Sequence, residues 1–244
     1  MSDLHFEFGD KFVPKHTGED ALILAGDIST DPEEILELAK NYLASSPAET
    51  HVILIAGNHE YFGHTINFIE DYWSKIQIPQ IHYLQNQSIV LNGTRFFGTT
   101  LWTDMLGNNN KAKSVAKIFI GDYMHIRDIT PETTVALHQK ARRILTETVR
   151  KSSEPVVVIS HHLPSYDCVQ PQYVGQQTNC AFACSDLEDL FLEENIIYWI
   201  HGHTHSTVKC RKGNVPIVAN PRGYVKKNIP ENLDFDIEFM IEIP

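Results

Sequence analysis

The sequence predicts an α/β protein with mixed β-sheets. Short apolar runs alternate with capped, amphipathic stretches early in the chain, and apolar runs follow one another near its end. At 244 residues, 42% hydrophobic and 21% charged, the chain is long enough to bury a substantial core.

The elements follow in order. A-L-I-L-A (21–25) and H-V-I-L-I-A (51–56) read as buried strands. Between them, D-P-E-E-I-L-E-L-A-K-N-Y-L opens a helix, with Asp31 as cap, Pro32 at the first helical position and acids in the first turn. Residues 64–76 form a second candidate helix, and T-R-F-F-G-T-T (94–100) the next strand. T-P-E-T-T-V-A-L-H-Q-K-A-R-R-I-L-T-E-T-V-R (130–150) repeats the cap-and-proline opening ahead of V-V-V-I-S (156–160). Residues 185–194 read as a helix, then I-I-Y-W-I (196–200), T-V-K-C (207–210) and V-P-I-V-A (215–219) as strands. F-D-I-E-F-M-I-E-I (235–243) alternates, as a half-exposed antiparallel strand does. Residues 105–130 fit the alternation poorly and read as an insertion that covers a site. The whole, 1–244, is expected to be one domain.

The formal charge of −11 argues against a duplex-DNA binder, which needs a basic face. It leaves room for a small phosphorylated substrate, because bound cations invert the local field. No apolar run approaches the ~18 residues of a membrane helix, and M-S-D-L-H-F-E-F is neither basic nor apolar enough for a signal peptide. The expectation is a cytoplasmic protein without a membrane role. Cys168, Cys180, Cys184 and Cys210 form no C-x-x-C pair and read as reduced structural thiols.

Histidine is the outlier, at 13 residues unevenly placed. I-H-G-H-T-H-S (200–206) sets His201, His203 and His205 on one turn. The chain opens on Asp3 and His5. Asp27 follows the first strand, Asn58, His59 and Glu60 follow the second, and His161 and His162 follow V-V-V-I-S. Strand ends on one edge of an α/β sheet converge on a crevice, and Gly26, Gly57 and Gly202 allow sharp turns there. Asp3, His5, Asp27, Asn58, His161, His203 and His205 therefore have the chance to meet. Imidazoles mixed with carboxylate and amide oxygens suit Mn, Fe or Zn. Seven donors exceed what one ion takes and match two that share a carboxylate.

The five blocks D-L-H (3–5), G-D (26–27), G-N-H-E (57–60), S-H (160–161) and G-H-T-H (202–205), in this order, resemble the calcineurin-like metallophosphoesterase superfamily over nearly the whole chain. The resemblance implies a four-layer α/β/β/α sandwich of two mixed sheets. It assigns Asp3, His5 and His205 to one metal, Asn58, His161 and His203 to the other, and Asp27 to both, with His201 a bystander. His161 is preferred over His162 as the ligand. The implied activity is hydrolysis of a phosphomonoester or phosphodiester by in-line attack of a metal-bridging hydroxide, with His59 as proton donor, oriented by Glu60 or another acid. Arg222, His162 and Asp104 are candidate substrate contacts, with Tyr123 and His125 of the insertion behind them. Only Met1 and Ser2 precede Asp3, where the family has a full strand, so the first strand is expected to be truncated. A non-catalytic interaction module that kept the fold is the competing reading. Such a module is expected to have lost ligands or His59, and here every position is filled.

Overall fold

In the computed structural model, which describes residues 1–243, two β-sheets lie face to face with helices on both outer sides. The smaller sheet holds β1 (Ala21–Ala25), β2 (His51–Ile55) and β3 (Ile81–Tyr83), all parallel with β2 in the middle. The larger holds β4 (Gln87–Leu91), β5 (Thr94–Thr99), β6 (Val156–Ser160), β7 (Ile196–His201), β8 (Val208–Lys212) and β9 (Val215–Ala219). Its order is β4-β5-β6-β7-β9-β8. β5, β6, β7 and β9 run parallel, and antiparallel β4 and β8 close the edges.

The apolar runs are continuous because both faces of the central strands are covered. On the outer side of the small sheet, Leu22, Leu24, Val52 and Leu54 meet Ile35, Leu38 and Tyr42 of α1 (Pro32–Ala44) and Ile69 and Trp73 of α2 (Ile66–Ser74). Between the sheets, Ile53 and Ile55 meet Phe96, Val157 and Ile159. The other face of β6, Val156 and Val158, packs with Trp199 against Ala141, Leu145 and Val149 of the long helix after the insertion. This is the four-layer arrangement.

The insertion is helical. A single left-handed turn, α3 (Met105–Asn108, φ between 50° and 67°), then α4 (Asn110–Phe119) and α5 (Asp122–His125) precede α6 (Pro131–Lys151), which crosses from β5 to β6. The Asn109 side chain caps α4 by accepting from the Lys111 and Ala112 amides. At the C-terminal side lies a two-stranded ribbon of β10 (Val225–Lys226) and β11 (Ile229–Pro230).

Two expectations are corrected. Residues 185–194 form no α-helix, only a 3₁₀ turn at Leu190–Leu192. Leu187, Leu190 and Phe191 are buried there, while Asp186 and Asp189 are drawn to Arg142 of α6. Residues 235–243 alternate but pair with no strand. The Asn220 side chain takes both backbone groups of Asp236, at 2.7 and 3.1 Å, and the segment runs on over a cavity of about 780 Å³ between the sheets. Cys180 lies in a 3₁₀ turn at Gln177–Ala181 and Cys184 beyond it. All four cysteines are free. Ahead of Asp3, Ser2 makes a single parallel bridge to Pro221, and the Met1 carbonyl accepts from the Ala25 amide at 2.8 Å.

Candidate metal centre

The C-terminal ends of β1, β2, β6 and β7 open at one edge, and residues 3–5 join them. The turns are tight. A Cβ at Gly57 would come within 2.1 Å of an Asp27 carboxylate oxygen, and one at Gly26 within 2.5 Å of the Gly57 nitrogen. Asp3, His5, Asp27, His203 and His205 all hold positive φ, between 47° and 67°. Five non-glycine residues in the left-handed region within one cluster mark backbone strain concentrated at a functional site.

Asp27 is the centre of the cluster. Its Oδ1 accepts from the His59 amide at 2.8 Å. Its Oδ2 lies 3.3 Å from His161 Nε2 and 4.0 Å from both His5 Nε2 and His59 Nε2. Three groups of possible metal donors overlap here: Asp3 with His5 and His205, His5 with Asp27 and His59, and Asp27 with His161 and His203. The Asn58 carbonyl oxygen sits 3.1 Å from His161 Nε2.

The tautomers are set from behind. Glu7 Oε1 accepts from His5 Nδ1 at 3.0 Å and His59 Nδ1 at 2.8 Å, Glu231 from His205 Nδ1 at 2.8 Å, and the Ala25 carbonyl from His161 Nδ1 at 2.9 Å. With Nδ1 protonated, each Nε2 lone pair points into the centre. His5 Nε2 and His205 Nε2 face each other at 3.0 Å. Two lone pairs at that separation repel, so a proton or a cation has to bind between them. Imidazoles held by an acceptor on the far nitrogen are the usual form of a metal-ligating histidine. The donor set fits two borderline transition-metal ions.

The charges agree. Burial disfavours ionisation of Asp3 and Asp27, yet neighbouring imidazoles hold both carboxyls below their ordinary range. Burial would lower His161 and His205, but Asp27 raises the first to about 9, and Asp3 with Glu231 raises the second to about 10. Without metal, imidazolium supplies the positive charge this cage needs. His203, half-buried, is held well below its ordinary value by desolvation and by the neighbouring His162 and His161, and stays neutral.

The structure brings all seven sequence-predicted ligands to this point, with His59 beside them and stacked on Phe62 at 4.2 Å. It sends the predicted substrate contacts elsewhere. Arg222 pairs with Asp10 and lies over the Phe12 ring at 5.0 Å. The Asp104 carboxylate accepts from Ser185 and from the Gly107 amide, as the cap of α3. His162 packs behind His203, its Nδ1 on the Thr100 carbonyl, and burial drives it to about 3. Tyr123 turns to Thr134, whereas His125 does line the cleft. Glu60 does not orient His59. It accepts from the amides of Gly57, Asp27 and Ile28 and so staples two site loops together. Glu7, Glu231 and Asp122, which fixes the Asn58 amide at 2.9 Å, were not singled out in the sequence. Glu7 alone carried a signal, two residues past His5.

Around the cage is a cleft of about 720 Å³. Phe119, Ile120, Gly121, Asp122 and His125 of the insertion form one wall.

Residues 1–207 match the Metallophos family, calcineurin-like phosphoesterase. The chain is 27% identical over 260 residues to uncharacterized protein L509 of Acanthamoeba polyphaga mimivirus, covering 92% of this chain and 90% of that one. The crystal structure of phosphopantetheinyl hydrolase from Mycobacterium tuberculosis is similar with a TM-score of 0.69 at 16% identity, over 92% of this chain and 88% of that one.

Proposed function

The chain belongs to the calcineurin-like phosphoesterase family, and on that premise we propose that it hydrolyses a phosphoric ester with two bound metal ions. The observation that carries this is Asp27, whose Oδ2 is ringed by three imidazole nitrogens between two further donor pairs. Asp3, His5 and His205 would hold one ion, Asn58, His161 and His203 the other, and Asp27 both. Mn, Fe or Zn suits these donors. Such a pair supplies charge for the phosphoryl oxygens and polarises water for in-line displacement.

The rest falls to the chain. Strained turns and fixed tautomers hold the donors ready, so little reorganisation accompanies reaction. Protonated His59 would donate from Nε2 to the leaving oxygen, with Glu7 on its Nδ1 sustaining the charge. The wall from 105–130 would bound the substrate and select it. A small phosphorylated molecule suits a cleft of about 720 Å³.

The test is metal analysis joined to turnover of p-nitrophenyl phosphate and bis-p-nitrophenyl phosphate by Mn-, Fe- and Zn-loaded protein. Roughly two metal equivalents and hydrolysis of at least one ester are expected. Asp27→Asn should lower both metal content and rate, the rate at least ~100-fold. Bound metal with neither ester turned over would leave the non-catalytic module as the reading.

A further inference from the structure

Resting on the phosphoesterase reading above, we infer that the substrate is a phosphodiester, one of whose arms carries a planar heteroaromatic group of the nucleobase kind. Two features of the cleft carry this.

The first is its charge. Among the described residues, no lysine or arginine lines the cleft, and Asp122 and Glu231 do. Arg222, the arginine the sequence offered as a phosphate contact, is committed to Asp10 and Phe12. A phosphomonoester near neutral pH carries close to two negative charges, since its second pKa is ~6, and a diester carries one. A metal pair can take two non-bridging oxygens. The third oxygen of a monoester then needs a cationic or multiply donating partner. In a diester that oxygen bears a second organic arm, which asks for a wall that packs.

The second is the wall itself. Phe119, Tyr173 and Phe8 line the cleft with 68%, 44% and 61% of their surface exposed. Exposed aromatics gathered around one cleft are a binding surface. Amide side chains are interleaved with them. Gln170 and Asn179 brace the wall itself, their amide nitrogens held on the Thr204 carbonyl of the G-H-T-H turn and, at 2.8 Å, on the Tyr173 carbonyl. Gln176 lines the cleft beside them. Aromatic faces bind bases by stacking, and a glutamine amide such as that of Gln176 matches the donor–acceptor edge of a base. An aliphatic arm would use neither.

The reaction consumes one water. Its oxygen bonds to phosphorus, the bond from phosphorus to the leaving oxygen breaks, one of its protons ends on the leaving oxygen, and the other is released as the monoester product ionises. That product regains the second negative charge the cleft does not favour, which promotes its release.

The experiment uses three substrates with one leaving group: p-nitrophenyl phosphate, methyl p-nitrophenyl phosphate and the p-nitrophenyl ester of a nucleoside 5′-monophosphate. For metal-loaded protein, kcat/KM should rise at least ~10-fold from monoester to methyl diester, and ~10-fold again to the nucleoside diester. The double variant F119A/Y173A should bring the two diesters together. Gln170→Lys, which sets an ammonium beside the His203–His205 turn, should move the monoester-to-methyl-diester ratio several-fold toward the monoester. A monoester that matches or beats the diesters overturns the inference while the phosphoesterase reading stands. Equal rates for the two diesters overturn the heteroaromatic arm. If no ester is turned over, the parent reading fails with it.

Discussion

Glu7 accepts from two imidazoles with one oxygen, His5 on the metal side and His59 on the proton-donating side. Burial would raise its carboxyl, but those two bonds hold it below the ordinary range. Glu7→Gln keeps the shape and removes the charge, and an amide oxygen serves two N–H donors poorly. The expected result is a kcat lower by ~10–100-fold with KM little changed. The melting temperature should stay within a few degrees, so steady-state kinetics and a thermal scan separate this from misfolding. Such residues mark the limit of what a sequence makes legible. Asp3, His5, Asp27, Asn58, His161, His203 and His205 could be read because each sits in a short block, at a strand end or, for Asp3 and His5, just past the Ser2 bridge. Glu231 could not, since it lies 26 residues beyond His205 in a ribbon with no pattern of its own. Arg222 and Asp104 looked available by the same strand-end logic. They are spoken for by Asp10 and Ser185, partners that only the folded chain brings near.

At the level of elements, the caps read from sequence are present and testable. Asp31 accepts from the Glu33 amide, and Thr130 and Thr133 form a reciprocal box at the start of α6. Thr130→Ala should cost ~1 kcal/mol in urea unfolding and leave kcat untouched, because α6 packs on the outer face of the large sheet. Glu19 ties the loop before β1 to α1 through Tyr42 and also accepts from Thr17. Burial would raise its pKa, but these hydrogen bonds bring it down to about 2. A depressed carboxyl contributes stability that is complete above its unfolded value of 4.5 and is lost as pH falls toward 2. Glu19→Gln should therefore melt lower than wild type at pH 7. The gap should narrow between pH 4.5 and 2, as measured by melting temperature against pH. Helices with caps and strands with two buried faces were legible because their signals are local. The segment 185–194 was not, because its apolar residues answer to the large sheet and its acids to α6. The segment 235–243 has a strand's alternation, yet Asn220 satisfies its backbone and no strand edge takes it up.

Across the whole molecule, the ligands come from both sheets: Asp27 and Asn58 follow strands of the small one, and His161, His203 and His205 follow strands of the large one. Bound ions would thus tie together two layers that otherwise meet through the apolar contacts of Ile53, Ile55, Val157 and Ile159 and a few hydrogen bonds such as that of His161 to the Ala25 carbonyl. A similar architecture at 16% identity shows that this layering tolerates wide change in sequence. Ligands that bind only the folded state stabilise it by mass action, ~2.7 kcal/mol at a hundred times Kd. For a domain of this size ~1 kcal/mol moves the melting temperature by about 2–4 °C. Removing metal with a chelator should then lower the melting point by roughly 5–10 °C, and restoring Mn or Zn should bring it back. In Asp27→Asn the same treatment should move it far less. An equal shift in wild type and variant would place the stabilising ion somewhere other than this cage. An unchanged wild type would mean that the imidazolium-bearing, metal-free cage is as stable as the loaded one.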